Sequence, residues 1–300
     1  MKVYYIYGTL PSYRSDFFTG LSYVLRESNV DHAVLHGMPT DKKGVLQDGN
    51  SMYEKKAFLS QSKKIGPLKF TINKQLLRHI KGEKPDAIII SYVPTNLTML
   101  KVVLYCVREN IPYATWRCGY NRPDYSSFSI KIRQVLIGFV ERKASFNITY
   151  GTFYKRLLQE KGIPNDRIII AQNTINVEKI LDENGNQKRH YTPKTKILFV
   201  GALIKEKLLQ SSIDAVKMLV DEGFDVYFDI VGGGEIIEIL RDYTLKLNLE
   251  EYIHVVGAKY NDDVKKYFRE ADVFLLAGTG GLAINEAMAY GLPIISTNAA

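Results

Sequence analysis

Three hundred residues suffice for two domains of ordinary size. A hydrophobic fraction of 46% with 24% charged residues excludes a disordered chain, and no run approaches the ~18 apolar residues of a membrane helix. The net charge of +8 is uneven: residues 1–183 hold 27 Lys and Arg against 16 Asp and Glu, residues 184–300 hold 13 against 16, so an anionic partner belongs to the first part or its surface is a solvated basic face.

Met1–Gly8 reads as a strand ending in a Gly turn, without the apolar stretch and cleavage site of a secretory leader, which points to the cytoplasm. The loop that follows offers Gly8 and Arg14 as cleft residues. Strands are expected over Val3–Tyr7, Ala33–His36, Ala87–Ser91, Tyr113–Trp116, Asn147–Tyr150 and Ile168–Ala171. Helices fit Phe17–Arg26, Lys74–Lys81, Leu97–Glu109, Phe128–Lys143 and Thr152–Lys161. Between them, Pro39–Pro67 is polar and Lys-rich and reads as a long loop. Arg117 and Cys118 stand at the end of the fourth strand, Arg117 suited to phosphate or acceptor. The helix Phe128–Lys143 joins apolar Ile132, Val135, Leu136 and Phe139 to Lys131, Arg133, Arg142 and Lys143. It is either a core-packed helix with a basic outer face or a membrane-surface helix.

A polar run over 182–194 breaks the alternation as a linker would. Alternation then restarts: strand Lys196–Val200, helix Leu209–Asp221, strand Val226–Val231, helix Glu235–Leu247, strand Ile253–Val256, helix Asp262–Glu270, strand Val273–Leu276, helix Gly281–Tyr290, strand Pro293–Ser296. This is an α/β chain of two doubly wound domains, 1–181 and 195–300, with a ligand cleft expected between them. The chain stops at Ala300, soon after a strand, so the second domain looks truncated.

Three Gly-bearing turns follow strands of the second domain: Gly201–Lys207, Gly232–Gly234 and Gly278–Gly281. Such a turn is either only tight or a cradle of backbone N–H groups for phosphate, reinforced by the helix dipole. Glu286, on the helix after the last turn, can reach a ribose hydroxyl. No Cys or His spacing resembles a zinc site, so no metal is expected.

The string Gly278–Pro293, with Glu-Ala-Met-Ala-Tyr-Gly-Leu-Pro at its end, resembles the donor-binding segment of family 4 glycosyltransferases, retaining nucleotide-sugar enzymes of the GT-B fold. The strand Ile197–Val200 followed by Gly201 and Lys207, and Ile230–Val231 followed by Gly232–Gly234, are similar to two further family segments. The resemblance implies a sugar transfer from a nucleoside diphosphate sugar to a glycan or lipid-linked acceptor, as in bacterial surface-polysaccharide biosynthesis. It implies retention of configuration, no metal and no cofactor. Donor contacts would come from Gly201, Lys207, Gly232, Gly234, Thr279, Gly280, Gly281 and Glu286, with Lys207 and Arg117 closest to the chemistry and Gly8, Arg14 and Cys118 on the acceptor side. Departures from the pattern are Ala202 for an Arg, Leu208 for a Gly, Gly278 for the first of two Glu, and Cys118 for a His. They keep open a catalytically impaired GT-B protein or partner subunit; an epimerase is disfavoured for want of acid/base carboxylates. The basic first half suggests an anionic membrane surface on the inner face of the membrane as a further partner. Nucleic acid is not expected, because no aromatic–basic motif accompanies the charge.

Overall fold

Strand β1 (Lys2–Tyr7) is buried along almost its whole length, with Tyr4 and Ile6 entering one core and Val3, Tyr5 and Tyr7 another. A strand covered on both faces reads as a continuous apolar run, which is why it is legible in the sequence. In this computed structural model the described residues are 1–10, 14–39, 53–65, 68–118, 127–184, 194–260 and 262–297. The chain divides into two units, Met1–Asn173 and Thr174–Ala300.

The first unit continues with β2 (Asp31–Pro39), β3 (Glu54–Ile65), β4 (Leu68–Ile72), β5 (Ala87–Ile90), β6 (Tyr113–Arg117), β7 (Phe146–Thr149) and β8 (Ile168–Ile170). They form one sheet in the order β4-β3-β2-β1-β5-β6-β7-β8, parallel except for the β3–β4 hairpin. Helices α1 (Ser15–Glu27), α2 (Lys74–Glu83), α3 (Leu97–Glu109), α4 (Ser127–Lys143) and α5 (Thr152–Glu160) supply the crossovers. Phe18 of α1 packs on one face, while Leu76 and Ile80 of α2, Val102 and Val103 of α3 and Ile137 and Val140 of α4 pack on the other. Local chemistry sets the helix ends. Asn73 Oδ1 accepts from Leu76 N at 3.0 Å to open α2, and Asn96 Oδ1 accepts from Thr98 N and Met99 N at 3.1 Å to open α3.

The expectation of a loop over Pro39–Pro67 is wrong where the structure describes it. Glu54–Ile65 is a twelve-residue strand, β3, pairing with β2 and then β4. Polarity misleads because the strand lies toward the sheet edge, where one neighbour and partial burial suffice and lysines are tolerated. Phe58 and Ser60 are its buried positions, an alternation hidden among lysines. Residues 40–52, in the same stretch, lie outside the described residues.

The second unit has β9 (Thr195–Val200), β10 (Val226–Val231), β11 (Ile253–Gly257), β12 (Val273–Leu276) and β13 (Ile294–Ser296), all parallel, in the order β11-β10-β9-β12-β13. Its helices are α6 (Val177–Asn184), α7 (Leu209–Asp221), α8 (Ile237–Lys246), α9 (Asp262–Glu270) and α10 (Leu282–Ala289). The core is aromatic: Phe199, Phe228, Phe268 and Phe274 are fully buried, and Phe268 stacks on Tyr290 at 5.1 Å. Helix α6 is unexpected, and its last turn occupies Asp182–Asn184 at the head of the expected linker. Glu183 and Asn184 tie it to Lys265 and Arg269 of α9. Residues 185–193 of that expected linker lie outside the described residues.

Candidate functional site

Open parallel sheets bind ligands beyond the carboxyl ends of their strands, where the strand order reverses. In the second sheet that point lies between β9 and β12. The loops that leave these strands, and the loop after the neighbouring β10, are packed backbone against backbone, and glycine makes this possible. A Cβ on Gly232 would stand 1.8 Å from the Gly201 carbonyl oxygen, and one on Gly234 would stand 2.1 Å from that of Leu203. Leu203 N donates to Gly233 O at 3.0 Å, sealing the pair of loops. Gly201, Gly232 and Gly234 are thus brought together as one shelf.

The β12 loop is fastened to the β9 loop in the same way. A Cβ on Gly278 would meet Glu206 O at 2.1 Å and the Lys207 backbone at 2.5 Å. The glutamate that the resemblance would put at this position has no room for its Cβ with the two loops in this arrangement. Thr279 N donates to Glu206 O at 2.9 Å, and the Thr279 hydroxyl donates to the same oxygen at 3.3 Å. In return Lys207 Nζ donates to Thr279 O at 2.5 Å and Gly280 O at 3.1 Å. The two loops therefore clasp each other, and Lys207 lies at Gly278–Gly281 rather than in free solution. Burial lowers the Lys207 ammonium pKa, with Glu206 opposing the shift. Lys207 makes no ion pair among the described residues. Leu208, next in the chain, has φ +51°, the left-handed region where glycine is favoured, and its side chain is exposed. The turn keeps the geometry that a glycine would take more easily.

Gly281 is extended and opens α10 with no side-chain cap, so among the described residues the capping position itself offers no side chain to the first helix amides. One turn further on, Glu286 is half-buried and has no side-chain hydrogen bond or ion pair among the described residues. Burial raises its carboxyl pKa, and Lys265 partly counters this. A buried carboxylate without a donor is costly, so its retention calls for a partner. The chemistry here is a lysine on a glycine-rich turn, helix amides with no side-chain cap, and a carboxylate on the same helix, which is what a phosphate and a neighbouring hydroxyl require.

The remaining candidates lie in the first unit. Gly8 follows β1, whose carboxyl end lies at the order reversal of the first sheet. Arg14 is only 3% exposed, with its guanidinium 5.0 Å from the Trp116 ring centroid, 5.4 Å from Tyr150 and 5.7 Å from Phe17, and it donates to the Tyr150 hydroxyl. Arg117 at the end of β6 lies 3.5 Å from Glu141 Oε1. Glu141 is 1% exposed, and it also accepts from the Tyr154 hydroxyl and from Lys161 Nζ at 3.1 Å. Cys118 is exposed. Sequence reasoning missed Glu141. Its signal was a lone acid between the apolar Ile137–Val140 stretch and Ala144 on the inner side of a helix.

Residues 182–300 match the family model described as glycosyl transferases group 1. The chain is 32% identical over 155 residues to the amylovoran biosynthesis glycosyltransferase AmsK of Erwinia amylovora, across 47% of this chain and 37% of that relative. It is 24% identical over 297 residues to the capsular polysaccharide biosynthesis glycosyltransferase CapM of Staphylococcus aureus, across 91% of this chain and 73% of CapM. The chain thus spans little more than a third of the first of these. Among solved structures, Anabaena HepE in complex with UDP superposes with a TM-score of 0.71 at 15% identity, covering all of this chain and 81% of HepE. The resemblance drawn from Gly278–Pro293 therefore holds, and the fold is the two-unit GT-B type expected. Among the described residues no helix is long and apolar enough to cross a membrane.

Proposed function

We propose that this protein is a glycosyltransferase that moves a hexose, with retention of configuration, from a nucleoside diphosphate sugar to a glycan or lipid-linked acceptor of a cell-surface polysaccharide. The observation that carries the reading is the clasp between Lys207 and the Gly278–Gly281 turn at the β9/β12 reversal, with Glu286 on the helix that follows. The family match over this unit, the polysaccharide glycosyltransferases among its relatives and the UDP in the HepE complex support it. Lys207 meets the diphosphate, whose negative charge grows as the sugar–oxygen bond breaks. Glu286 accepts from ribose hydroxyls. The acceptor hydroxyl forms the new bond, and its proton passes to the leaving phosphate, so the scheme uses no metal, no cofactor and no dedicated protein base.

Glu286→Gln tests the donor half. Affinity for the preferred nucleotide should fall by about 1.5–3 kcal/mol, the worth of a hydrogen bond to a charged acceptor. Stability should move the other way. The folded-state pKa of Glu286 is raised, so any stability it contributes is present below the unfolded value and lost as pH rises through the folded one. At neutral pH the charged carboxylate is a cost, and Gln should raise the melting temperature there, with the difference closing in acid. Calorimetry with UDP and GDP, beside thermal melts at two pH values, reads both. Unchanged affinity for every nucleotide removes Glu286 from the site.

The variant reading, a GT-B protein that binds donor without transferring it, draws on Ala202 and on the closed space at Gly278. Slow release of free sugar from the donor separates the two, since a surviving catalytic site hydrolyses the donor without acceptor.

The site of action we infer is the cytoplasmic face of a membrane. Leu104 and Val107 on α3 and Ile132 and Val135 on α4 are exposed, beside the exposed Lys101 and Lys131. Co-sedimentation with vesicles containing phosphatidylglycerol should exceed that with phosphatidylcholine alone and fade with salt, at about 1 kcal/mol per basic residue near the surface. Equal binding to both kinds of vesicle returns the acceptor to solution.

A further inference from the structure

The lysine of the clasp carries the inference. Lys207 Nζ donates to Thr279 O at 2.5 Å and to Gly280 O at 3.1 Å. An ammonium has three N–H groups, and the third of these has no acceptor among the described residues. An uncharged amine keeps two N–H groups and gains a lone pair. Lys207 therefore loses a proton without giving up either carbonyl, and the lone pair takes the third direction. Burial favours that form, lowering the ammonium pKa against the pull of Glu206. Lysines desolvated in this way are the ones that act as nucleophiles.

The place matters as much as the amine. Nζ lies 3.6 Å from where a Cβ on Gly281 would stand, so it meets the chain at the residue that opens α10. Gly281 is exposed and Lys207 only half-buried, so a small reagent reaches both. A reagent whose phosphate sits at this turn brings the atom bonded to that phosphate beside the amine.

We propose that Lys207 is a modification site, acylated by small acyl phosphates that its own phosphate turn holds in place. This rests on the glycosyltransferase reading above, which puts a phosphate at Gly278–Gly281. The ammonium first gives one proton to solvent. The amine nitrogen then bonds the acyl carbon, and the bond from that carbon to the phosphate oxygen breaks. The second proton lost by the nitrogen leaves with the phosphate, so the products are a neutral amide and inorganic phosphate. The acylated lysine has no charge to offer a diphosphate, and modification therefore switches donor binding off.

Acetyl phosphate tests it on the full chain, with peptide mass spectrometry as the readout and N-hydroxysuccinimidyl acetate as the phosphate-free acyl donor. Acetyl phosphate should acetylate Lys207 about tenfold faster than the exposed Lys205 and Lys246, because only Lys207 is presented with a bound reagent. The phosphate-free donor should show no such preference. Calorimetry first identifies which nucleotide binds, UDP or GDP. That nucleotide at saturation should suppress acetylation of Lys207 alone, and its affinity should fall in step with Lys207 acetylation. Gly281→Asp should abolish the preference. The backbone there is extended, so aspartate fits, and its carboxylate caps α10 and faces Nζ. Acetylation of Lys207 at the rate of the exposed lysines overturns the proposal, as does a preference that the bound nucleotide leaves untouched. The same preference with both donors also overturns it, in favour of a reactive lysine that needs no phosphate. Binding of neither nucleotide defeats the glycosyltransferase reading, while binding with an unselective Lys207 defeats the modification alone.

Discussion

Lys207→Ala is expected to lower turnover by about 10²–10³-fold while leaving the protein folded, the loss seen when one preorganised donor to developing charge is removed. The ammonium is held over the glycine turn by the Thr279 and Gly280 carbonyls and is partly buried, with Glu206 the charge that acts on it. Carbonyls satisfy its protons without neutralising its charge, so an arriving diphosphate meets a full positive charge in a partly desolvated place. The effect should grow in the transition state, hence fall on kcat more than on KM. Melting should drop only modestly, because the Gly278–Glu206 approach and the Thr279 bonds still join the two loops. Donor turnover at the wild-type rate would make Lys207 a clasp and nothing more.

Glu141→Ala should destabilise the first unit by about 3–5 kcal/mol, the cost of leaving a buried charge without its partner. Glu141 gathers Arg117, Lys161 and the Tyr154 hydroxyl, from β6, from the end of α5 and from α5 itself. Removing the carboxylate strands Arg117, which is only partly exposed, and unfastens α4 from α5. The measurement is urea unfolding with far-ultraviolet circular dichroism. An unchanged midpoint would mean that solvent reaches the cluster. Arg117→Lys is the companion variant: loss of donor turnover at unchanged stability would give this arginine a role in the reaction besides its ion pair.

Much of the second unit was legible. The expected and observed bounds coincide for Leu209–Asp221, Val226–Val231, Asp262–Glu270 and Val273–Leu276, because parallel strands buried on both faces and amphipathic crossovers leave opposite periodicities. Gly232, Gly234 and Gly278 were visible as turn formers, but the backbone each one touches is set by tertiary structure. Gly278 looked like a lost side chain and is a position where no Cβ fits. Strand β3 was hidden because its four lysines outweigh the alternation of Phe58 and Ser60. Helix α6 was hidden because its apolar residues Val177, Ile180 and Leu181 run straight into a polar stretch. Glu141 could be seen only as an acid out of place, since its three partners come from 13 to 24 residues away along the chain.

The chain has a single tryptophan, and Trp116 lies in the first unit with the Arg14 guanidinium 5.0 Å from its ring centroid. Its intrinsic emission is therefore a built-in optical label for one half of the molecule. The second half, with tyrosine and phenylalanine alone, is dark at tryptophan wavelengths. Emission followed through denaturant tracks the half around β6, while circular dichroism sums both sheets. Where the two curves separate, the halves unfold as independent bodies, and where they overlay the halves are thermodynamically one.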